Sequence, residues 1–247
     1  MQAIDQTAAK LDIESMTHVI KAPDPVAIPV AGTDDTFPVH RIFCVGRNYA
    51  EHAREMGHDP DREPPFFFEK HTGSLLFAPM PDGAEFPYPQ KSSDVHHEIE
   101  LVVALSKGGN DISLDSAYDH VWGYAVGLDM TRRDLQGVAK KAGRPWEIGK
   151  SFDHAGPIGL LHPKSEAGHM TEGHIRLDVN GETRQDGNLN ELIWNIPETI
   201  SYLSGLFTLQ AGDLIYTGTP AGVGPVVKGD VLEGHVEGLS SIKVTVT

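Results

Sequence analysis

Two glutamates stand at the start of an apolar run, and this pattern constrains the fold more than any other. In an extended strand, side chains alternate between faces, so Glu98 and Glu100 project from one side while Ile99, Leu101 and Val103 project from the other. Two neighbouring carboxylates repel each other, so on a half-buried strand they need a cation or a shared proton. Oxygen-only ligation suits Mg²⁺, Mn²⁺ or Ca²⁺. The pattern therefore indicates either a metal site or an exposed edge strand with two solvated glutamates.

A third carboxylate follows a second apolar run. Asp129 comes directly after residues 124–128, which read as a strand, and it precedes a helical pattern over residues 132–141. Aspartate is a favoured helix cap, so Asp129 either caps this helix or joins the two glutamates at a strand end. In the second case, three carboxylates around a divalent ion would leave coordination positions open for a substrate.

The remaining patterns favour strands over helices. Strands are expected near residues 42–45, 64–70, 158–161, 175–179, 214–217 and 242–246, and helices over residues 7–16, 49–56 and 196–206. Asn180-Gly181 between two short strands predicts a type I′ hairpin. The sequence thus predicts a β-rich α+β fold rather than alternating βαβ units. We expect an irregular N-terminal arm over residues 1–38 and one catalytic domain over residues 39–247.

Charge and cysteine content narrow the class of protein. The formal net charge is −15, from 35 acidic and 20 basic residues, which disfavours nucleic acid and anionic membranes as partners. The single cysteine, Cys44, lies in an apolar run and is interpreted as a buried small hydrophobe. With no signal pattern and no apolar run long enough to span a membrane, a cytoplasmic protein is expected. An anionic substrate would need a locally positive site.

Three further residues carry candidate chemistry. Lys150 follows Gly149, but the glycine spacing does not fit a phosphate-binding loop, so Lys150 is interpreted as a cation near the acids. His52 and Glu55 are three residues apart on a predicted helix, where the carboxylate can orient the imidazole. They form either a general-base pair or an incidental pair on a surface helix.

Five ordered motifs give the chain a family resemblance. They are GRNYAEHAREMG at 46–57, HEIE at 97–100, LDMT at 128–131, GKSFD at 149–153 and YTGTPAGVG at 216–224. With these motifs the chain resembles the fumarylacetoacetate hydrolase family from about residue 40 to residue 247. The resemblance implies a mixed β-sandwich-like roll that is usually a homodimer.

The resemblance also implies roles for individual residues. Positions matching Glu98, Glu100 and Asp129 hold Mg²⁺ or Mn²⁺, and Lys150 matches an active-site lysine. The substrate contacts match Arg133, Gln136 and Thr219. His52 and Glu55 match a pair on a lid helix that activates water.

The implied activity is cleavage of a C–C bond in a small 2,4-dioxo acid, an acylpyruvate. Several stretches, such as residues 61–68, resemble those of family members that act on fumarylpyruvate, and this resemblance implies fumarylpyruvate as the substrate, with fumarate and pyruvate as products. Related activities remain open, namely decarboxylation of oxaloacetate and isomerisation or decarboxylation of catechol-pathway diacids, as does a metal-stabilised binding protein without turnover. No motif fixes the residue that would meet a distal carboxylate, and the candidates are Arg47, Arg62, Lys70 and Arg144.

Overall fold

The computed structural model describes residues 19–55 and 63–247, with the backbone alone for residues 52 and 53. Its strands are β1 (Ala27–Pro29), β2 (Thr36–Pro38), β3 (Ile42–Gly46), β4 (Phe66–Lys70), β5 (Leu75–Phe77), β6 (Ala84–Phe86), β7 (Val95–His97), β8 (Ile99–Leu105), β9 (Val121–Leu128), β10 (Thr131–Arg132), β11 (Gly156–Ile158), β12 (His162–Pro163), β13 (His174–Val179), β14 (Glu182–Asn188), β15 (Leu214–Tyr216), β16 (Gly224–Val226), β17 (Val231–Val236) and β18 (Ile242–Val246). Its α-helices are α1 (Ala50–Glu55), α2 (Arg133–Lys141), α3 (Glu147–Lys150), α4 (Lys164–Ala167) and α5 (Ile196–Leu206). Strands predominate, so the prediction of a β-rich α+β fold is confirmed.

The largest sheet has the strand order β4-β3-β15-β8-β9-β11-β5, with β12 added beside β9. Its pairing is mixed, since β3 runs parallel to β15 and β5 parallel to β11, while β8 and β9 are antiparallel. The pairing of Ile99 with Leu128 aligns the start of β8 with the end of β9. The residues just outside these two strand ends are therefore neighbours.

The main core lies between this sheet and a five-stranded sheet of order β14-β13-β17-β18-β6. Ile99, Leu101 and Val103 point into this core, as the alternation predicted. Val102 and Ala104 point the other way, into a second apolar cluster with Cys44 and with Ile28 of β1. All seven residues of β8 are consequently buried, whereas the sequence suggested a half-buried strand. Its reverse face is covered partly by residues of β1 and β2, N-terminal to residue 39.

Glu98 lies between two strands that belong to different sheets. β7 pairs with β10 and β16 in a three-stranded sheet, and β8 begins immediately after Glu98 in the large sheet. The expected single extended strand is thus interrupted at this residue. The chain crosses from one sheet to the other at the point where the acidic side chains lie.

Several local predictions are confirmed by the backbone. Asn180 and Gly181 have φ values of 55° and 79°, as a type I′ turn requires, and they join β13 to β14. Helix α5 spans the expected residues, and Asn195 and Glu198 form a capping box at its start. The helix expected over residues 7–16 lies outside the described residues, as do residues 56–62 after α1.

Candidate active site

Three buried carboxylates converge where β8 begins and β9 ends. Each of Glu98, Glu100 and Asp129 offers an oxygen atom, and these atoms all lie within 4.8 Å of one another. The antiparallel register of β8 and β9 produces this meeting, because it places Asp129 directly beside Glu98, and the Asp129 N–H donates to the Glu98 carbonyl at 2.8 Å. The predicted convergence of the three acids is therefore confirmed. Asp129 does not cap the following helix, since α2 begins at Arg133 with Arg132 as its N-cap.

Glu100 is held by the backbone of a distant loop. The Gly218 N–H donates to Glu100 Oε2 at 2.7 Å. Burial raises the pKa of the Glu100 carboxyl well above its ordinary value, and the carboxylates of Asp129 and Glu98 raise it further. Concentrated negative charge in a buried site of this kind favours binding of a cation.

Lys150 ends the short helix α3 and reaches two of the acids. Its Nζ lies 2.8 Å from Glu98 Oε2 and 2.6 Å from Asp129 Oδ2. Burial opposes the charged form of Lys150, but Asp129 and Glu98 outweigh it and raise the pKa of the ammonium group above its ordinary value. The structure thus places Lys150 as a cation beside the acids, as the sequence predicted.

A second buried lysine, Lys70, also pairs with one of the acids. Lys70 has a fully buried side chain at the end of β4, and its Nζ lies 2.8 Å from Asp129 Oδ1. It also donates to the main-chain carbonyls of Lys150 and Met130. Lys70 therefore links β4 to the segments that carry Asp129 and Lys150, and it is not available for the distal carboxylate of a substrate.

Arg133 and Gln136 lie on the first turns of α2 and face the acids. Arg133 donates to Glu98 Oε1 and, at 2.7 Å, to Gln136 Oε1. Its Nε also lies 3.4 Å from His96 Nδ1, and His96 Nε2 lies 2.8 Å from Asp94 Oδ1. If His96 donates to Asp94 through Nε2, its Nδ1 is left to accept from Arg133. This chain of contacts fixes the direction of the guanidinium.

Thr219 is oriented by a residue that the sequence did not single out. Gln185 is fully buried in β14; its Nε2 donates to Thr219 Oγ1 at 2.8 Å and its Oε1 accepts from the Ile99 N–H at 3.0 Å. Gln185 thus joins the loop that carries Thr219 to the first residue of β8. Its partners are 34 and 86 residues away along the chain, so no short-range sequence pattern identifies it.

Helix α1 docks on the same loop through Glu55. The Gly222 N–H donates to Glu55 Oε1 at 3.1 Å and to Oε2 at 3.0 Å. This contact brings the helix that carries His52 next to the loop of Thr219. The side chain of His52 lies outside the described part of the chain, so the general-base pair stays a prediction.

One pocket unites these groups. Its lining includes seven of the nine predicted site residues, namely Glu98, Glu100, Asp129, Arg133, Gln136, Lys150 and Thr219. Phe66, Phe68 and Trp146 form an aromatic wall beside them, and Arg47 and Lys140 add two further cations. The pocket is therefore acidic where the three carboxylates meet and bordered by cations and aromatic rings elsewhere.

The donor set fits a hard divalent ion. The three candidate ligands offer only carboxylate oxygens, and neither His nor Cys belongs to the group. Asp129 Oδ1 is buried and accepts no well-formed hydrogen bond from the described residues, although the Lys70 ammonium lies near it. A buried carboxylate oxygen in this state has capacity for another partner.

Comparison with known proteins gives the family. The family model for the fumarylacetoacetate (FAA) hydrolase C-terminal region matches residues 41–247. The chain belongs to the fumarylacetoacetate hydrolase family. The resemblance carried by the five motifs is therefore confirmed, as is the fold expected from it.

Two solved or curated members are named fumarylpyruvate hydrolase. The crystal structure of the Pseudomonas aeruginosa fumarylpyruvate hydrolase in complex with Mn²⁺ and pyruvate matches with a TM-score of 0.91 and 52% identity, covering 94% of this chain and 99% of that one. The fumarylpyruvate hydrolase of Ralstonia sp is 46% identical over 193 residues, which are 77% of this chain and 98% of the relative.

A third family member carries a different name. The mitochondrial oxaloacetate decarboxylase of Dictyostelium discoideum is 43% identical over 201 residues, covering 81% of this chain and 90% of the relative. Family membership thus shows an enzyme fold that supports more than one reaction. Within the described ranges, no helix is long and apolar enough to cross a membrane.

Proposed function

We propose that the chain is a metal-dependent hydrolase that cleaves fumarylpyruvate to fumarate and pyruvate. The observation that carries this proposal is the meeting of Glu98, Glu100 and Asp129 with Lys150 and Arg133 in one pocket. The similarity to proteins named fumarylpyruvate hydrolase supports the choice of acyl group.

Glu98, Glu100 and Asp129 would hold the ion, Mg²⁺ or Mn²⁺. When bound, the ion supplies Lewis-acid stabilisation of the negative charge that develops on the pyruvyl oxygens during C–C cleavage. Lys70, Lys150 and Arg133 pair with Glu98 and Asp129, and with all three carboxylates ionised around an ion, the three cations would balance their charge. A divalent ion would leave two positive charges in a protein of net charge −15, which suits a doubly negative substrate.

Lys150, Arg133 and Gln136 would bind and orient the pyruvyl end. The Lys150 ammonium group lies beside Glu98 and Asp129, so it would donate hydrogen bonds to substrate oxygens next to the ion. Arg133 donates to both Glu98 and Gln136, so the direction of its guanidinium, and of its remaining N–H groups, is set in advance. Donors fixed in advance stabilise developing charge with little reorganisation.

His52 and Glu55 would activate water. In this proposal His52 takes a proton from water as the oxygen attacks the 4-carbonyl carbon, and Glu55 stabilises the resulting imidazolium. The C3–C4 bond then breaks, its electron pair stays with the pyruvyl fragment, and C3 receives the proton. The contact of Glu55 with the Gly222 N–H supports this placement, because it brings α1 to the loop of Thr219.

Oxaloacetate decarboxylation is the second candidate. The relative from Dictyostelium discoideum favours it, and so does the core of the site, because Lewis-acid stabilisation of the enolate needs no water-activating base. For catechol-pathway isomerisation, the crystal structure of 5-carboxymethyl-2-hydroxymuconate delta-isomerase from Mycobacterium smegmatis matches with a TM-score of 0.74 and 30% identity, covering 86% of this chain and 80% of that one. That reaction is less favoured because the identity is lower, and no observation favours a binding protein without turnover. The homodimer, the cytoplasmic location and the division at residue 38 are proposals that rest on the sequence.

One preparation assayed on two substrates tests the proposal. With Mg²⁺ or Mn²⁺ present, loss of the dioxo-acid absorbance should accompany release of one pyruvate per fumarylpyruvate, with kcat/KM well above that for oxaloacetate. A chelator should abolish both activities. Equal or greater efficiency on oxaloacetate would replace hydrolysis by decarboxylation, and activity indifferent to the chelator would remove the metal from the mechanism.

A further inference from the structure

One guanidinium group in the pocket, that of Arg47, is not paired with any of the three carboxylates. Four cations line the pocket, namely Arg47, Arg133, Lys140 and Lys150. Arg133 and Lys150 are bound to Glu98 or Asp129. Arg47 has only a loose ion pair, with its Nη1 3.9 Å from Glu63 Oε2, and it makes no hydrogen bond through its side chain to any described residue. Its side chain is 27% exposed, so it keeps donors available at the pocket wall.

The position of Arg47 is fixed by its surroundings. The centre of its guanidinium lies 4.8 Å from the centroid of the Phe66 ring. The ring fits there because residue 46 is glycine, since a Cβ at Gly46 would lie 2.0 Å from Phe66 Cζ. Arg47 itself has a φ of 55°, which non-glycine residues rarely adopt and which costs backbone free energy unless the surroundings impose it. The contact with Phe66 thus directs the guanidinium along the pocket wall.

Alternate residues of strand β4 lie beside the acids, Lys150 and Arg47 in turn. Alternate residues of a strand share a face and are about 7 Å apart. Lys70 contacts Asp129, Phe68 lies under Lys150 with a ring-to-Nζ distance of 5.1 Å, and Phe66 lies under Arg47. Asp129 and Arg47 therefore lie at opposite ends of this strand, with Lys150 between them.

The wall between the two ends is aromatic and continuous. Trp146 contacts both phenylalanines, with centroid distances of 5.2 Å to Phe66 and 6.0 Å to Phe68. A flat, unsaturated chain can lie along such a wall, while a carboxylate at its far end reaches the guanidinium. Arginine suits that role because its planar fork can bind a carboxylate through two hydrogen bonds.

We infer that Arg47 is the specificity-determining residue that binds the distal carboxylate of a long, unsaturated dicarboxylic substrate. This inference rests on the proposed function and names the feature of the acyl group that the site selects. The sequence offered three other candidates for binding the distal carboxylate. Lys70 is paired with Asp129, Arg144 is exposed and does not line the pocket, and Arg62 lies outside the described residues. The inference requires that oxaloacetate, which is three carbons shorter than fumarylpyruvate, does not span from the acids to Arg47.

The kinetic test compares fumarylpyruvate with acetylpyruvate, which ends in a methyl group instead of the distal carboxylate. Arg47→Asn removes the charge but tolerates the positive φ. It should lower kcat/KM for fumarylpyruvate by about 10- to 100-fold while changing that for acetylpyruvate and oxaloacetate by less than about threefold. Arg47→Lys should give an intermediate loss, because it keeps the charge without the fork. Arg144→Gln, which removes an exposed charge outside the pocket lining, is the matched control and should leave the selectivity unchanged.

A binding test decides the inference even if fumarylpyruvate is not turned over. With Mn²⁺ and pyruvate present, calorimetry should show that Arg47→Asn weakens fumarate binding by about 10-fold or more, whereas neutral crotonamide, which has no carboxylate, binds equally to both proteins. Fumarate binding that is unchanged in Arg47→Asn would overturn the inference, and so would an equal loss of kcat/KM on all substrates, which indicates a structural role. Failure of the parent to cleave any acylpyruvate would overturn the proposed function instead, and the effect of Arg47→Asn on fumarate binding would still test Arg47.

Discussion

The backbone N–H of Gly218 donates a hydrogen bond of 2.7 Å to Glu100 Oε2, although the two residues are 118 positions apart in the chain. Gly218 can lie there because it has a φ of 100° and no side chain. A Cβ at this position would lie 2.7 Å from Asn48 Cβ. The acidic group of the site is therefore partly positioned by a glycine in the loop that also carries Thr219.

Replacing this glycine should damage both stability and the site. Gly218→Ala combines a positive φ with a close contact, so we expect a loss of about 1–3 kcal/mol in the free energy of unfolding. Displacement of the Gly218 N–H should also weaken Mn²⁺ binding. Urea unfolding and calorimetric titration measure the two effects. Gly137→Ala is the control, because Gly137 lies inside α2 with open space around its Cα, and alanine there should stabilise the protein by about 0.5–1 kcal/mol. A Gly218→Ala protein as stable as the parent would contradict the argument.

Glu100→Gln should weaken metal binding without unfolding the protein. The amide keeps an oxygen that can accept from the Gly218 N–H, but it removes one of three negative charges. We expect Mn²⁺ affinity to fall by at least about 100-fold, with loss of activity, while the metal-free protein stays folded. Glu100→Ala should also abolish metal-dependent activity.

Titration of Mn²⁺ by electron paramagnetic resonance checks this prediction without an activity assay. Glu172→Gln, at an exposed position, is the control and should bind Mn²⁺ like the parent. Unchanged affinity in Glu100→Gln would exclude Glu100 as a ligand. Stoichiometric zinc in gently purified protein would contradict the preference for a hard ion.

The stabilisation that Mn²⁺ gives should grow with pH. The pKa of Glu100 is raised in the folded protein, so without metal its contribution to stability is present at low pH and is lost as pH rises through that pKa. A bound ion would relieve the repulsion that develops and would compete with the proton. The increase in Tm on adding Mn²⁺ should therefore be larger at about pH 8 than at about pH 5. Thermal melts across this range test it, and a shift that is the same at every pH, or equally pH-dependent in Glu100→Gln, would be evidence against Glu100 as the titrating group.

Lys70 should be essential to the metal-free protein. Its buried ammonium group pairs with Asp129, and Lys70→Met leaves one partner of a buried pair with less compensation. The expected loss is about 3–5 kcal/mol in the free energy of unfolding, partly restored by Mn²⁺. Lys107→Met removes an exposed lysine and should have little effect. Urea unfolding with and without Mn²⁺ distinguishes this result from a general loss of packing, which the ion would not restore.

His52→Ala should affect chemistry more than binding. His52 lies on α1, a different segment from the three candidate ligands, so Mn²⁺ and an oxalate-like inhibitor should bind as to the parent. Turnover should fall by about 10²–10⁴-fold, the usual contribution of a general base. Steady-state kinetics and calorimetry together check this, and an equal loss of inhibitor affinity would make His52 a binding residue instead. Oxaloacetate decarboxylation should be much less sensitive to the same change.

The features that the sequence determined by itself depend on short-range interactions. Asn180-Gly181 sets a hairpin because these two residues accept positive φ, and Asn195 with Glu198 sets the start of α5 because the capping contacts span only three residues. The pair Glu98 and Glu100 indicated either an oxygen-ligand site or an exposed edge strand, since two neighbouring carboxylates need compensation only when they are buried. The family motifs extended this prediction to Asp129, Lys150 and Arg133.

The tertiary structure alone decided which distant groups complete the site. Whether Asp129 capped a helix or met the glutamates depended on the register of β8 against β9. Lys70 and Gln185 could not be assigned from their neighbours in sequence, because their partners are brought to them by pairing between strands that are tens of residues apart. The choice of Arg47 among four candidate cations likewise required the pocket, since only packing shows which cations the acids already occupy. Local propensity specifies turns and helix ends, whereas a site built across sheets is specified by the register and packing that join them.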